Sequence, residues 1–409
     1  MPYPTRAARA GLGLIVVAGC GTTPGDSGAA GAWPVGDVDT MWQDRYLVGS
    51  YRNWGEIYPV RTVRAGPDVE PLPRGEPVGE VVYRFDGRAR SLEDYIDEAR
   101  MTGLLVIRDG EVRLERYAHG AKASSRLSGM SITKSVVSTL VGAALHEGRI
   151  ESLSDPLDRY VPALARSGYD GVPIEAALQM SSGIDFEEDY GAHNSDTSRM
   201  WQAVVAERTV PAPQYLLRME RRWQPYQRFN YTPVDTQALA WLVESVTGRN
   251  LSTYLAETIW QPAGMGGYAT WGLDGEGADA HEIGYCCLNA RLRDWARFGL
   301  LFAREGRANG RQLLPPEWIE RATDPSRPQV QPGELYEDYP LGYQYQWWTF
   351  PEPSDAFTAL GINGQFLYVD PEADLVVAST AAWEEYWDDE LEREFYALVE
   401  RLRELTAPS

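Results

Sequence analysis

A serine and a lysine stand three residues apart in the stretch SGMSITKSVVSTLVGAALHEG, residues 128–148, at the head of an apolar run. On a helix, that spacing puts Ser131 and Lys134 on one face. A serine hydroxyl is a poor nucleophile until a nearby base takes its proton. Lysine is such a base when burial or positive potential lowers its pKa, whereas arginine keeps its proton. The bare pattern S-x-x-K is common by chance, and a surface helix would explain it. Composition weighs against that explanation. Among 38 Lys and Arg residues, lysine occurs only at Lys122 and Lys134, so a chance cation at position 134 would be arginine.

Rival chemistries lack their motifs. No G-x-S-x-G elbow occurs. His146-Glu147 and His281-Glu282 have no second histidine at zinc-protease spacing. No P-loop or dinucleotide fingerprint is present. Cys286 and Cys287 are adjacent. A disulfide between neighbours is uncommon, so the pair reads as two partly buried thiols serving as small hydrophobes. With four histidines in the chain, a metal site is not expected, and serine–lysine chemistry needs no metal or cofactor.

The 409 residues have room for one large domain or two ordinary ones, and 44% of them are hydrophobic, enough for a sizeable core. A formal net charge of −21 argues against binding nucleic acid or anionic lipid. Arg6 and Arg9 precede an apolar segment too short to span a bilayer. It ends in Val17-Ala18-Gly19-Cys20, which resembles the lipobox of bacterial lipoproteins. The expectation is a signal peptide over 1–19, a lipidated Cys20, a flexible tether over 20–32 and an exported protein held in the cell envelope by its lipid alone. An ordinary secretory signal is the alternative. Either way the mature protein is exported.

Residues 33–77, rich in Pro, Gly, Trp and Tyr, read as an extension wrapped on the surface of a domain spanning 78–405. Ser91 caps a helix. Asp109-Gly110 joins two strand-like runs as a hairpin. The opening stretch is a helix with an apolar face, ended by Gly148. Residues 151–306 form a large all-helical insertion. Three strand-like regions and an amphipathic helix follow. Two strands and three, brought together, predict an α+β fold with a five-stranded antiparallel sheet flanked by helices.

The ordered motifs resemble the serine β-lactamase and penicillin-binding-protein superfamily, in its branch of class C-like esterases and 6-aminohexanoate-dimer hydrolases. Ser131-Ile132-Thr133-Lys134 matches the first motif. Residues 174–186, IEAALQMSSGIDF, match the helix and Ser-Gly loop that follow it. Tyr231, in FNYTPVDTQALAWLVESVTG, matches the tyrosine of the second motif, although most of the 23 tyrosines must be packing residues. Residues 361–377, GINGQFLYVDPEADLVV, match the strand of the third. Ser195-Asp196-Thr197 is a weaker rival for the second motif.

The resemblance implies an acyl-enzyme on Ser131, with Lys134 and Tyr231 moving protons. It implies an oxyanion hole of the backbone N–H groups of Ser131 and Ile362, and substrate contacts at Gly361 and Tyr190. Two departures matter. Pro233 stands where the family has asparagine, and Ala359 where it has a Lys or His that binds a substrate carboxylate. Both disfavour β-lactamase and D,D-peptidase activity and fit an esterase or amidase with a less anionic substrate. An acyltransferase using the same intermediate and a non-catalytic peptidoglycan-binding relative are the alternatives.

Overall fold

The computed structural model describes residues 33–192 and 194–407. The signal segment, Cys20 and the 20–32 tether lie outside the described residues. Two antiparallel sheets and the helices between them position the candidate site.

The strands that build these sheets are β1 (Val60–Val63), β2 (Met101–Arg108), β3 (Glu111–Tyr117), β4 (Leu127–Ser128), β5 (Ala269–Gly272), β6 (Leu288–Ala290), β7 (Gly342–Gln344), β8 (Trp347–Thr349), β9 (Phe357–Gly361), β10 (Gln365–Asp370) and β11 (Leu375–Ala381). The large sheet has seven strands in the order β7-β8-β9-β10-β11-β2-β3, every pair antiparallel. The hairpin at Asp109-Gly110 forms as expected, with both residues at positive φ. Seven strands replace the expected five because two of the strand-like regions each hide a reversal. One turns at Asn363-Gly364 and the other at Tyr345-Gln346, all four at positive φ.

The second sheet, β1-β5-β6-β4, lies beside the site. Two of its strands belong to the 151–306 insertion, which is therefore mainly, not wholly, helical. A third, β1, comes from the 33–77 extension. That extension does not lie on the surface. Met41, Leu47, Val48, Tyr51, Trp54, Tyr58 and Val63 are buried in the main core. Their large apolar areas explain the anchoring, since a buried large side chain contributes about 1.5–3 kcal/mol.

Five helices matter here: α1 (Leu92–Glu98), α2 (Ile132–His146), α3 (Pro233–Thr247), α4 (Leu292–Ala303) and α5 (Asp389–Thr406). Ser91 caps α1 in a reciprocal capping box with Asp94. Helix α4 packs on the large sheet and α2 packs on α3. Helix α2 is buried on every side from Ile132 to Ala144, not on one face alone. Its polar residues are small and bonded. Ser135 Oγ donates to the Gln346 carbonyl at 2.7 Å, and Thr139 Oγ1 donates to the Ser135 carbonyl at 2.8 Å. Gly142 leaves room for the Trp318 ring, which a Cβ would meet at 2.2 Å.

Candidate active site

The sequence around Ser131 builds a sharp turn. Strand β4 pairs with β6, and the Gly129 N–H donates to the Leu288 carbonyl at 3.0 Å. Met130 then takes φ +44°, a conformation rare outside glycine, before the chain enters α2. Strain of this kind is tolerated where surrounding contacts fix it. The result puts Ser131 at the head of α2, near the positive end of its dipole and at the wall of a cavity.

Lys134, one turn on, is 2% exposed. Its Nζ lies 2.8 Å from Ser131 Oγ and donates to the Tyr285 carbonyl at 2.9 Å. Burial lowers its pKa to about 8, against the opposing pull of the Glu188 carboxylate. A buried amine that is partly neutral near neutral pH, in contact with a hydroxyl, can accept that hydroxyl's proton. Tyr231 completes the group. Lys134 Nζ is 5.0 Å from its ring centroid, and Tyr231 and Ser131 border the same small pocket. Burial holds the phenol well above its ordinary pKa, and the charge of Glu188 adds to this. Tyr231 is therefore a neutral hydroxyl rather than a phenolate. Trp348 stacks on its ring, with centroids 5.5 Å apart.

Gly361 and Ile362 reach Ser131 from the large sheet. A Cβ on Gly361 would lie 2.6 Å from the Gly129 carbonyl oxygen and 3.0 Å from the Met130 Cβ. Glycine lets the end of β9 touch the turn that precedes Ser131. Among the described residues, the N–H groups of Ser131 and Ile362 donate to no carbonyl or side chain. Both residues border a small pocket of about 20 Å³, shared with Tyr231, Trp348, Leu360, Gly361 and Trp387. That is room for about one water-sized group. On the other side Ser131, Lys134 and Ile362 line a cavity of about 770 Å³.

Tyr190 lines the large cavity, donates to Glu188 Oε1 at 2.8 Å and packs against Tyr386. Ser195 does not join the reactive group. It caps the short helix Asp196–Trp201 and donates to the Asp189 carbonyl at 2.5 Å. Ala359 is buried in β9 and Pro233 begins α3, so neither position offers a cation or an amide.

Three features were not foreseen. Glu188 is buried near Lys134, and its Oε2 has no partner among the described residues. Nothing in Glu187-Glu188-Asp189 marks which acid turns inward. The extension supplies Val38, Asp39, Trp42 and Leu47 to the cavity wall, and Tyr51 donates to Asn363 Oδ1 at 2.5 Å, just beyond Ile362. Cys286 and Cys287 are joined in a disulfide, not left as thiols. Cys287 sits at φ +77°, and this turn brings two neighbouring side chains together.

Residues 89–401 match the Beta-lactamase family model. The chain is 30% identical over 368 residues to the 6-aminohexanoate-dimer hydrolase of Paenarthrobacter ureafaciens, covering 87% of this chain and 90% of that one. A Bacillus anthracis structure provisionally named a 6-aminohexanoate-dimer hydrolase superposes with a TM-score of 0.79 at 23% identity, over 89% of this chain and 95% of that one. A family VIII carboxylesterase shares the fold with a TM-score of 0.57 at 16% identity, over 75% and 97% of the two chains. The family model spans most of the chain, the curated relative aligns along nearly all of it, and the fold is shared: this protein belongs to the Beta-lactamase family and is a serine hydrolase.

Proposed function

We propose that Ser131 attacks the carbonyl carbon of a small ester or amide and that water then hydrolyses the acyl-enzyme. The observation that carries this reading is the buried Nζ of Lys134, 2.8 Å from Ser131 Oγ. Neutral Lys134 takes the hydroxyl proton as the new C–O bond forms. Tyr231, a neutral phenol beside both groups, relays a proton to the leaving oxygen or nitrogen as its bond to the carbonyl carbon breaks. The N–H groups of Ser131 and Ile362 hold the oxyanion, and the head of α2 adds positive potential. In the second half, Lys134 and Tyr231 take a proton from the water that bonds to the acyl carbon and pass it to Ser131 Oγ as its bond to that carbon breaks.

The substrate side follows from what lines the site. Ala359 and Pro233 give a carboxylate or amide side chain nothing to bind, so neutral or weakly charged acyl groups are favoured. The cavity of about 770 Å³ suits a short substrate, and the name of the curated relative, a hydrolase of a 6-aminohexanoate dimer, also points to a small amide. The protein works outside the cytoplasm, held to the membrane by lipid on Cys20.

The test is the covalent intermediate. Nitrophenyl butyrate mixed with the enzyme and quenched within the first turnover should add one butyryl mass to the peptide holding Ser131. Ser131→Ala should show neither adduct nor turnover. Turnover without an adduct, or an active Ser131→Ala enzyme, would refute the reading.

A further inference from the structure

We propose that the Cys286–Cys287 disulfide is a positioning element for Lys134, so that opening it with a dithiol slows acylation. The proposal rests on Lys134 as the base. The Tyr285 carbonyl accepts from Lys134 Nζ at 2.9 Å, and the disulfide begins at the next residue. An S–S bond between neighbours closes an eight-membered ring around one peptide unit, which restricts its backbone. Within that ring Cys287 holds φ +77°, a region that non-glycine residues rarely occupy.

The same segment is tied to the nucleophile turn. The Cys287 carbonyl accepts from Gly272 N–H and Asn289 Nδ2, both at 2.9 Å. Trp271 Nε1 donates to the Cys286 carbonyl at 3.2 Å. Leu288 accepts from Gly129 N–H at 3.0 Å and donates to Thr133 Oγ1 at 3.2 Å. Residues 285–288 thus touch the lysine, the turn before the serine and the helix carrying both. The covalent ring is a restraint that a reductant can remove.

Cys286 lines the large cavity at 7% exposure, while Cys287 is fully buried. A dithiol thiolate entering the cavity attacks Cys286 Sγ and expels the Cys287 thiolate. Its second thiol displaces Cys286 and closes the dithiol's own ring. Two electrons pass from dithiol to protein, and the two protons the dithiol loses end on the cysteines. With the ring open, Cys287 can leave its left-handed φ and the Tyr285 carbonyl can leave Nζ.

Two consequences separate this role from general loosening. Without its orienting acceptor the amine is held less well, so the rate falls. That carbonyl also favours the charged amine, so its loss lets Lys134 shed a proton at lower pH. The other groups facing Nζ are Ser131 at the head of α2, Glu188 ahead of the Asp196–Trp201 helix, Tyr231 ahead of α3 and the Tyr285 ring, and of these only Tyr285 lies on the segment beside the disulfide.

The experiment uses the full chain purified without reductant. Acylation by nitrophenyl butyrate is followed against pH before and after dithiothreitol, with free thiols counted by maleimide labelling and mass. Two additional thiols, a plateau about tenfold lower or more, an acid limb moved to lower pH and recovery on reoxidation are expected. The double variant Cys286→Ser/Cys287→Ser, with its fold checked by circular dichroism, should match the reduced enzyme and ignore dithiothreitol. It also carries the test if the ring resists reduction. An unchanged plateau and limb after two thiols appear, or in the folded double variant, would overturn the proposal. An active Lys134→Arg enzyme would sink the base assignment itself. A dithiol-silent enzyme with an inactive Lys134→Arg sinks only the positioning role.

Discussion

Gly361 and Gly129 touch: a Cβ added to Gly361 would stand 2.6 Å from the Gly129 carbonyl oxygen. The large sheet therefore meets the turn before Ser131 through two residues without side chains. Gly361→Ala must push β9 and the Ile362 N–H away from Ser131. Loss of one oxyanion donor costs on the order of 10²–10³ in kcat. We expect Gly361→Ala to fold and to lose about 10² in kcat, with a smaller change in KM. Steady-state kinetics on nitrophenyl butyrate check this, and unchanged kcat would place the oxyanion elsewhere.

The pH dependence follows from Lys134. Its pKa is lowered to about 8, and only the neutral amine accepts a proton. Acylation should rise with pH up to about 8 and then level off. The Glu188 carboxylate favours the ammonium, so Glu188→Gln should move the rising limb to lower pH. A limb that stays in place or moves up would show that Glu188 does not act on Lys134 in this way. The pH profile of the nitrophenol burst reads this directly.

Substrate preference follows from Ala359 and Pro233. Short-chain esters should be turned over and penicillins little or not at all. A panel of nitrophenyl butyrate, a short linear amide and a chromogenic cephalosporin checks this. Hydrolysis of the cephalosporin faster than of the ester would contradict it.

The proposed location rests on Cys20. Cys20→Ser should leave the precursor uncut or release soluble protein. Unchanged membrane fractionation and processing would remove the lipid anchor from the account.

Much of this site was legible because its motifs are local. Ser131 and Lys134 are joined by one helical turn, and scarcity of lysine made the second residue conspicuous. The hairpin at Asp109-Gly110 and the cap at Ser91 carry their own turn and cap chemistry. What was missed is long-range or conformational. Asn363-Gly364 is a strong reversal signal, but its place inside a continuous β-rich run hides it. Tyr345-Gln346 carries no such signal. Its positive φ angles are held from outside, by Gln346 N–H and Nε2 donating to Leu178 and Thr236 Oγ1 donating to Gln346 Oε1. The burial of Tyr51 and Trp54 depends on partners hundreds of residues away. So does the inward turn of Glu188, which no local pattern separates from its acidic neighbours.

The most direct test is Lys134→Arg. Arginine keeps the charge, but with a pKa above ~12 it cannot act as the base. Loss of proton transfer costs ~10²–10⁴ in rate. The measurement is the nitrophenol burst from purified Lys134→Arg, with Lys122→Arg as the comparison and circular dichroism confirming both folds. A folded Lys134→Arg enzyme with its burst nearly abolished, beside an unaffected Lys122→Arg, is the predicted result; a folded Lys134→Arg enzyme that acylates at near wild-type rate would contradict Lys134 as the base.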